Sequence, residues 1–323
     1  MSTPTTGPTN TKGALNALMA YGLFSAHDVI VKALGGGYSP FQIVFFSALM
    51  GFPFVALMLM QDDTKGNLRP VHPLWMTART IASIFTGACA FYAFSVLPLA
   101  QTYAIIFASP LLITVLSIPI LGEVVRLRRW LAVIVGLIGV LVVLRPGSVP
   151  IGLGHLAALG CAIGGAFNSI IVRKIGQEER SAVLMMYPML ATVIVMGALM
   201  PFYYKPMPAL DFGGMALVAL FAFLAVRFLI AAYRNGEAVI VAPMQYSQII
   251  WATIFGLLFF NEIPDTPTII GAGIIIASGI YILIRESAAG ASENTPVLRT
   301  RSRIGTGNGL RVGTFVRRIT SSE

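Results

Sequence analysis

Two charged residues sit deep inside long apolar runs, Asp28 in "ALMAYGLFSAHDVIVKALG" and Arg227 in "LVALFAFLAVRFLIAAYR". Charge is costly in such surroundings, so each is a candidate for function. Lys32 follows Asp28 by four residues and shares its helical face, as do Tyr21 and Ser25. Two readings of Asp28 stay open: a site for a proton or a cationic substrate, or a local ion pair whose Lys32 snorkels outward. Arg227 lies too deep to reach water unaided; it could balance Asp28, bind an anionic or electron-rich ligand, or snorkel to the nearer interface. Arg79, at the start of its run, reads as an interface anchor.

Further along, Gln245, Tyr246, Gln248 and Trp251 are clustered, and Gln245, Gln248 and Trp251 recur every three residues near one helical face. Amides and aromatic rings on one inward stripe suit a flat, hydrogen-bonding ligand; the competing reading is interhelical packing glue. Tyr92, Gln101 and Tyr103 occupy broadly corresponding positions in the first half. Gly160, Gly164 and Asn168 recur every four residues, a spacing that lets two helices approach closely and turns Asn168 toward a packed interface or a cavity rim. Prolines 53, 110, 188 and 243 interrupt apolar runs and free carbonyls, which only neighbouring protein or a water-lined cavity can satisfy. Glu123 and Glu262 close two runs and read as structural, and Arg234 and Glu237 could pair at one mouth.

Several chemistries lack their signatures. There is no GxxxxGK[ST] phosphate loop for ATP drive. His27, His72 and His155 are scattered, with no metal-ligand spacing, so no metal and no cofactor is expected. The Asp62-Asp63 pair reads as solvated, and no convergent acid/base set points to an enzyme. Cys89 and Cys161 lie within apolar runs as small packing residues.

The elements that would position these residues are legible from hydropathy. Charged residues form 11% of the 323-residue chain, against about 25% in ordinary soluble proteins. Mean hydropathy is +0.81. Ten apolar stretches of about 20 residues each, enough to cross a bilayer as helices, are expected at 14–34, 41–60, 74–96, 100–121, 130–145, 152–173, 182–203, 212–233, 239–260 and 267–284. The net charge of +9 is distributed as a topology signal rather than a nucleic-acid footprint. Lys65, Arg69, Arg79, Arg126, Arg128, Arg129, Arg173, Lys174, Arg180 and Arg234 fall on one side, which the positive-inside rule makes cytoplasmic, with both termini inside. Residues 1–12 form a polar tail without a cleavable signal peptide. Residues 286–323, rich in Ser, Thr, Gly and Arg, are expected to be a disordered, basic cytoplasmic tail.

An internal repeat organises the rest. "FYAFSVLPLAQTYAIIFASP" leads to Leu121-Gly122-Glu123, and "LIAAYRNGEAVIVAPMQYSQ" leads to Phe260-Asn261-Glu262. Each half holds five spans, an odd number, so the copies would lie in the membrane in opposite orientations, with a site near the midplane between them. These paired motifs resemble the drug/metabolite transporter superfamily, EamA-type, over residues 13–145 and 151–285. The resemblance implies an all-α, polytopic protein of ten transmembrane helices in two inverted five-helix repeats. Its implied activity is secondary transport of a small polar organic metabolite by alternating access in the cell's inner membrane. "AYRNGEAVIVAPMQYSQIIWATIFGLLFFNEIPD" is similar to a branch that includes riboflavin and S-adenosylmethionine uptake carriers, while related branches export amino acids and drugs. Family members often carry Arg early in the second span, where this chain has Ser47. The expected partners are a small-molecule metabolite and the lipid bilayer, with a second copy of the chain left open and nucleic acid excluded.

Overall fold

A computed structural model describes residues 10–60, 68–122, 125, 127–146, 150–176, 178–236 and 238–288. Residues 1–9 and 289–323, which make up most of both tails, lie outside the described residues, as do Asp62-Asp63, Lys65, Glu123, Arg126 and Glu237. Hydrocarbon offers backbone groups no hydrogen bonds, so a chain this apolar must satisfy them internally as helices. All of the regular elements among the described residues are helical. They are α1 (Asn10–Gly35), α2 (Pro40–Met60), α3 (Pro73–Val96), α4 (Leu99–Ile106), α5 (Ser109–Leu121), α6 (Leu127–Leu144), α7 (Leu153–Ile175), α8 (Ser181–Tyr203), α9 (Ala209–Asn235), α10 (Ala238–Val241), α11 (Ser247–Phe260) and α12 (Thr266–Ala288). A 3₁₀ turn, Ala242–Tyr246, joins α10 to α11.

Seven of these stretches, counting α4 with α5 as one, are long and apolar enough to cross a membrane, and α6 and α12 contain shorter apolar helices. The outer surface agrees: Leu74, Leu210, Phe202 and Ile263 are each at least 80% exposed. Burying such side chains is worth about 1.5–3 kcal/mol each, so water is the wrong solvent for this surface and lipid the fitting one. The protein is a polytopic, all-helical membrane protein.

Of the four sequence-marked prolines, Pro53 and Pro188 are carried within continuous helices. Pro110 and Pro243 fall where helices break. The chain turns at Phe107-Ala108 before α5, and Pro243 sits in the 3₁₀ turn. The two repeat motifs also acquire a physical meaning. Gly122 caps α5 with φ +70° and Asn261 caps α11 with φ +55°. Glycine and asparagine are the residues that take this left-handed cap most readily.

α1 lies along α9, and α3 along α7; α6 pairs with α12, α2 with α8, and α4 with α11. Close approach explains the small residues. A methyl group added at Gly164 would come within 2.3 Å of Thr86 Oγ1, so the Gly160/Gly164 stripe is the seam between α7 and α3. Gly139 and Gly271 meet backbone to backbone in the α6–α12 pair, where added Cβ atoms would lie 2.9 and 2.6 Å from the opposing carbonyls.

Gly35 abuts Ser95 at one end of α1, and Gly13 abuts Gly236 at the other. These contacts define a distal end, where α1 finishes, and a proximal end, where it starts. Pro98, just after α3, is therefore distal and Asn235 proximal. Distal contacts are polar and cross between the halves. Tyr38 donates to Asp211 Oδ2 at 2.5 Å, Gln42 exchanges two hydrogen bonds with the backbone of Lys205, and Arg145 pairs with Asp265. The hydrogen bond to Asp211 raises the Tyr38 phenol above its ordinary pKa, since losing the proton beside a carboxylate is unfavourable. Proximally, His72 meets Glu178 and Glu179, and Tyr187 donates to the Leu68 carbonyl.

Candidate functional site

A cavity of about 470 Å³ lies between the halves, lined by residues of α1, α2, α3, α7, α8 and α9 and by the breaks before α5 and α11. Small-molecule sites occupy about 300–1,000 Å³, so the volume suits a metabolite. Its distal lining is closed: Val44, Phe94 and Phe107 are at most 5% exposed. Toward the proximal end Arg227 lines the cavity and is exposed.

Asp28 sits in the cavity wall, 2% exposed. Its carboxylate accepts a hydrogen bond from the Tyr103 hydroxyl, and His27 Nδ1 lies 2.8 Å from Oδ1. Tyr103 is held in turn by Gln248, which donates to its oxygen at 3.3 Å, with Ser25 Oγ at 3.5 Å. Tyr103 does not line the cavity; it orients the residue that does. Phe24, Phe91, Phe94 and Phe107 line the same region, His27 meeting Phe91 edge-on at 5.8 Å.

Lys32 does not pair with Asp28. It reaches Glu262 Oε1 at 2.8 Å and the Leu97 carbonyl at 2.5 Å, while Glu262 Oε2 accepts the Leu99 amide at 3.0 Å. One lysine thus meets the carbonyl end of α3, and its glutamate partner meets the amide end of α4, matching both helix dipoles. Glu262, read from the sequence as structural, accepts its backbone bond from the other half of the chain.

Asn168 lines the cavity and faces α3, exchanging hydrogen bonds with Ser83 at 2.9 and 3.1 Å and accepting from Arg79 Nη1 at 3.3 Å. Arg79 is not an interface anchor here: it is 5% exposed and in the cavity wall. Its other protein bond runs from Nε to the Leu184 carbonyl at 3.3 Å. Position near a span's end hid this residue from sequence reasoning; an arginine four residues after Trp75, in the second turn of its helix, looks like an anchor until its neighbours are known.

Of the amide–aromatic stripe, Gln245 and Gln248 line the cavity and Tyr246 and Trp251 do not. The 3₁₀ turn explains the split. The tighter winding of the turn, about three residues per turn through Tyr246, brings Gln245 toward the side of Gln248, the second residue of α11. From Ser247 the chain is α-helical, and a step of three falls about 60° short of a full turn. Trp251 therefore packs over Gly22 of α1 and stacks on Phe255, while Tyr246 packs edge-on to Phe107 and against Gly279. Tyr92 lies outside the lining, where its carbonyl accepts from Ser95. Gln101 lies outside it as well, beside His155 at a smaller distal pocket of about 120 Å³ shared with Glu262 and Asp265. Among the described residues no group of three metal-ligating side chains comes together.

The sequence profile of the EamA-like transporter family matches twice, over residues 11–145 and 152–285. The chain is 27% identical to an S-adenosylmethionine uptake transporter of Rickettsia conorii, over 82% of this chain and 90% of that one. A pseudopaline exporter of Pseudomonas aeruginosa is 26% identical over 84% of this chain and 95% of its own. A solved protein structure, 20% identical, superposes with a TM-score of 0.60 over 88% of this chain and 100% of that one, which supports the fold.

Proposed function

Because the chain belongs to the EamA-like transporter family, we propose that it is a secondary transporter that carries a small polar organic metabolite across the inner membrane by alternating access. The observation that carries this reading is the cavity itself: enclosed by both halves, closed distally, and walled by buried charged groups at Asp28 and Arg79 and by the half-buried Asn168.

The proposed architecture is ten spans in two inverted repeats, 13–145 and 151–285. The packing supports it. Exchanging the first five spans with the last five turns the α1–α9 pair into the α7–α3 pair and returns α6–α12, α2–α8 and the fourth–ninth span pair to themselves. The fourth span of each half is broken near a proline, and each ends on a left-handed cap. The distribution of cations makes the proximal end cytoplasmic, with both termini inside. Labelling cysteines placed at Pro98 and Asn235 tests this: reagents should reach them from opposite sides, and access from a common side would sink the inverted arrangement.

Asp28, Asn168, Arg227, Gln245 and Gln248 are the residues proposed to contact substrate, with Tyr103 orienting Asp28. Tyr92, Gln101, Tyr246 and Trp251 would act only by packing. Uptake of S-adenosylmethionine or riboflavin is the proposed activity, and the Rickettsia relatives favour the first. The similarity to a pseudopaline exporter supports export as the second reading. Counterflow of labelled S-adenosylmethionine in proteoliposomes tests the proposal, and Arg227→Ala should abolish it while membrane insertion stays intact. Unimpaired counterflow in that variant would remove Arg227 from the site.

A further inference from the structure

We infer that the cavity is a bipolar site whose substrate is an elongated zwitterion: Arg79, with Asn168 and Ser83, takes its carboxylate, and the Asp28 end takes its cationic centre. This deepens the carrier reading and rests on it.

Arg79 carries the argument. A guanidinium has five N–H donors, and the described residues engage it at Nε and Nη1 only, through one carbonyl and one amide oxygen. Among the described residues no carboxylate lies within ion-pairing distance of it, although it is 5% exposed. A buried cation without a counter-ion carries a desolvation penalty of several kcal/mol that two long neutral hydrogen bonds offset only in part. Arginine's planar fork is matched to a carboxylate, which it binds with two parallel hydrogen bonds. Asn168 and the Leu184 carbonyl hold that fork in the cavity wall from two neighbouring helices.

At the other pole, the Asp28 carboxylate shares the wall with Tyr21, Phe24, Phe91 and Phe94. Aromatic faces attract cations, most strongly those that shed water easily, such as ammonium and sulfonium groups bearing carbon substituents. The spacing between the poles selects the substrate further. With Gly35 level with Ser95, Asp28 stands seven residues below that level and Arg79 sixteen. The nine-residue difference is about 13 Å along the helix axis at about 1.5 Å per residue. This is an offset between backbone positions, so a ligand that meets both groups carries its carboxylate and its cationic centre on different parts of its frame.

Counterflow in proteoliposomes reads this directly, with S-adenosylmethionine, its methyl ester (no carboxylate), S-adenosylhomocysteine (no sulfonium) and riboflavin (no fixed charge) as competitors. The wild-type protein should favour S-adenosylmethionine at least 10-fold over the ester and over the thioether. Arg79→Gln should erase the preference for acid over ester, and Asp28→Asn the preference for sulfonium over thioether. Because Arg79→Gln could also disturb packing, Asn168→Asp serves as the second variant: it supplies a carboxylate beside Arg79 and should reverse the preference in favour of the ester. Counterflow that treats acid and ester alike, a preference that survives Arg79→Gln, or carriage of riboflavin without competition from the zwitterions would overturn the bipolar assignment while leaving a carrier. Failure of every probe to exchange would remove the carrier reading and this one together.

Discussion

At one end of the cavity Asp28 is met by Tyr103 and His27, a hydroxyl and a ring that can answer a negative charge. At the other, Arg79 is met by an amide and a backbone carbonyl, which carry dipoles and no charge. Both are buried to a similar degree, so solvent does not explain the contrast. What differs is how much of the stabilisation the protein supplies itself. The acidic pole is a prepared hydrogen-bonded unit; the basic pole is positioned and left to a ligand for neutralisation.

That contrast can be broken one residue at a time. Among variants at the two poles Arg79→Ala should have the largest effect, about 30-fold or more in substrate affinity by thermal shift or counterflow, because losing one partner of a buried charge contact costs about 2–5 kcal/mol. Tyr103→Phe should come next. It removes one donor from Asp28 without touching the cavity wall, and a hydrogen bond to a charged group is worth about 1.5–3 kcal/mol, or roughly tenfold or more in binding. Its signature is selective, weakening recognition of the cationic centre while leaving acid–ester discrimination at Arg79 unchanged; equal loss of both would mean that Tyr103 supports the whole cavity. Lys32→Gln should leave both poles intact and act on the distal end. It strands Glu262 and the Leu97 carbonyl, and the expected result is a lower melting temperature with the ligand preference retained.

The smallest effect is expected at Asp265. Burial alone would raise its pKa, but hydrogen bonds from Thr268 and the neighbouring Arg145 outweigh that and hold it below the usual value of 3.8. A depressed carboxylate stabilises the fold above its unfolded pKa and ceases to do so as pH falls through the folded value. Asp265→Asn should therefore lower stability by no more than about 1 kcal/mol near neutrality, as for other exposed pairs, and by progressively less as pH falls below 3.8. A melting-temperature difference that does not shrink as pH falls below 3.8 would contradict this.

How far the molecule was legible varies by residue. The helix expected at 74–96 is observed at Pro73–Val96, and that at 182–203 at Ser181–Tyr203. The span expected at 100–121 is two helices, because Pro110 and the turn at Phe107-Ala108 break it, and hydropathy does not register a break. The glycine stripe of α7 correctly turned Asn168 toward a neighbouring helix, since small side chains at that spacing have few other uses. Lys32 escaped the local reading because its partner Glu262 is 230 residues away, where four-residue spacing carries no information.

Sequence by itself determined that this chain crosses a membrane many times as helices, since runs of that length and apolarity leave the backbone no other way to satisfy its polar groups. It also marked the paired Gly122-Glu123 and Asn261-Glu262 motifs and the rarity of Asp28 and Arg227. Only the tertiary structure decided which charges meet. Arg79 became part of the cavity wall, and Asp28 acquired Tyr103, through contacts between helices that are distant in the chain. Such partners depend on how whole helices rotate and stack, which is a property of the assembled bundle and of no single segment.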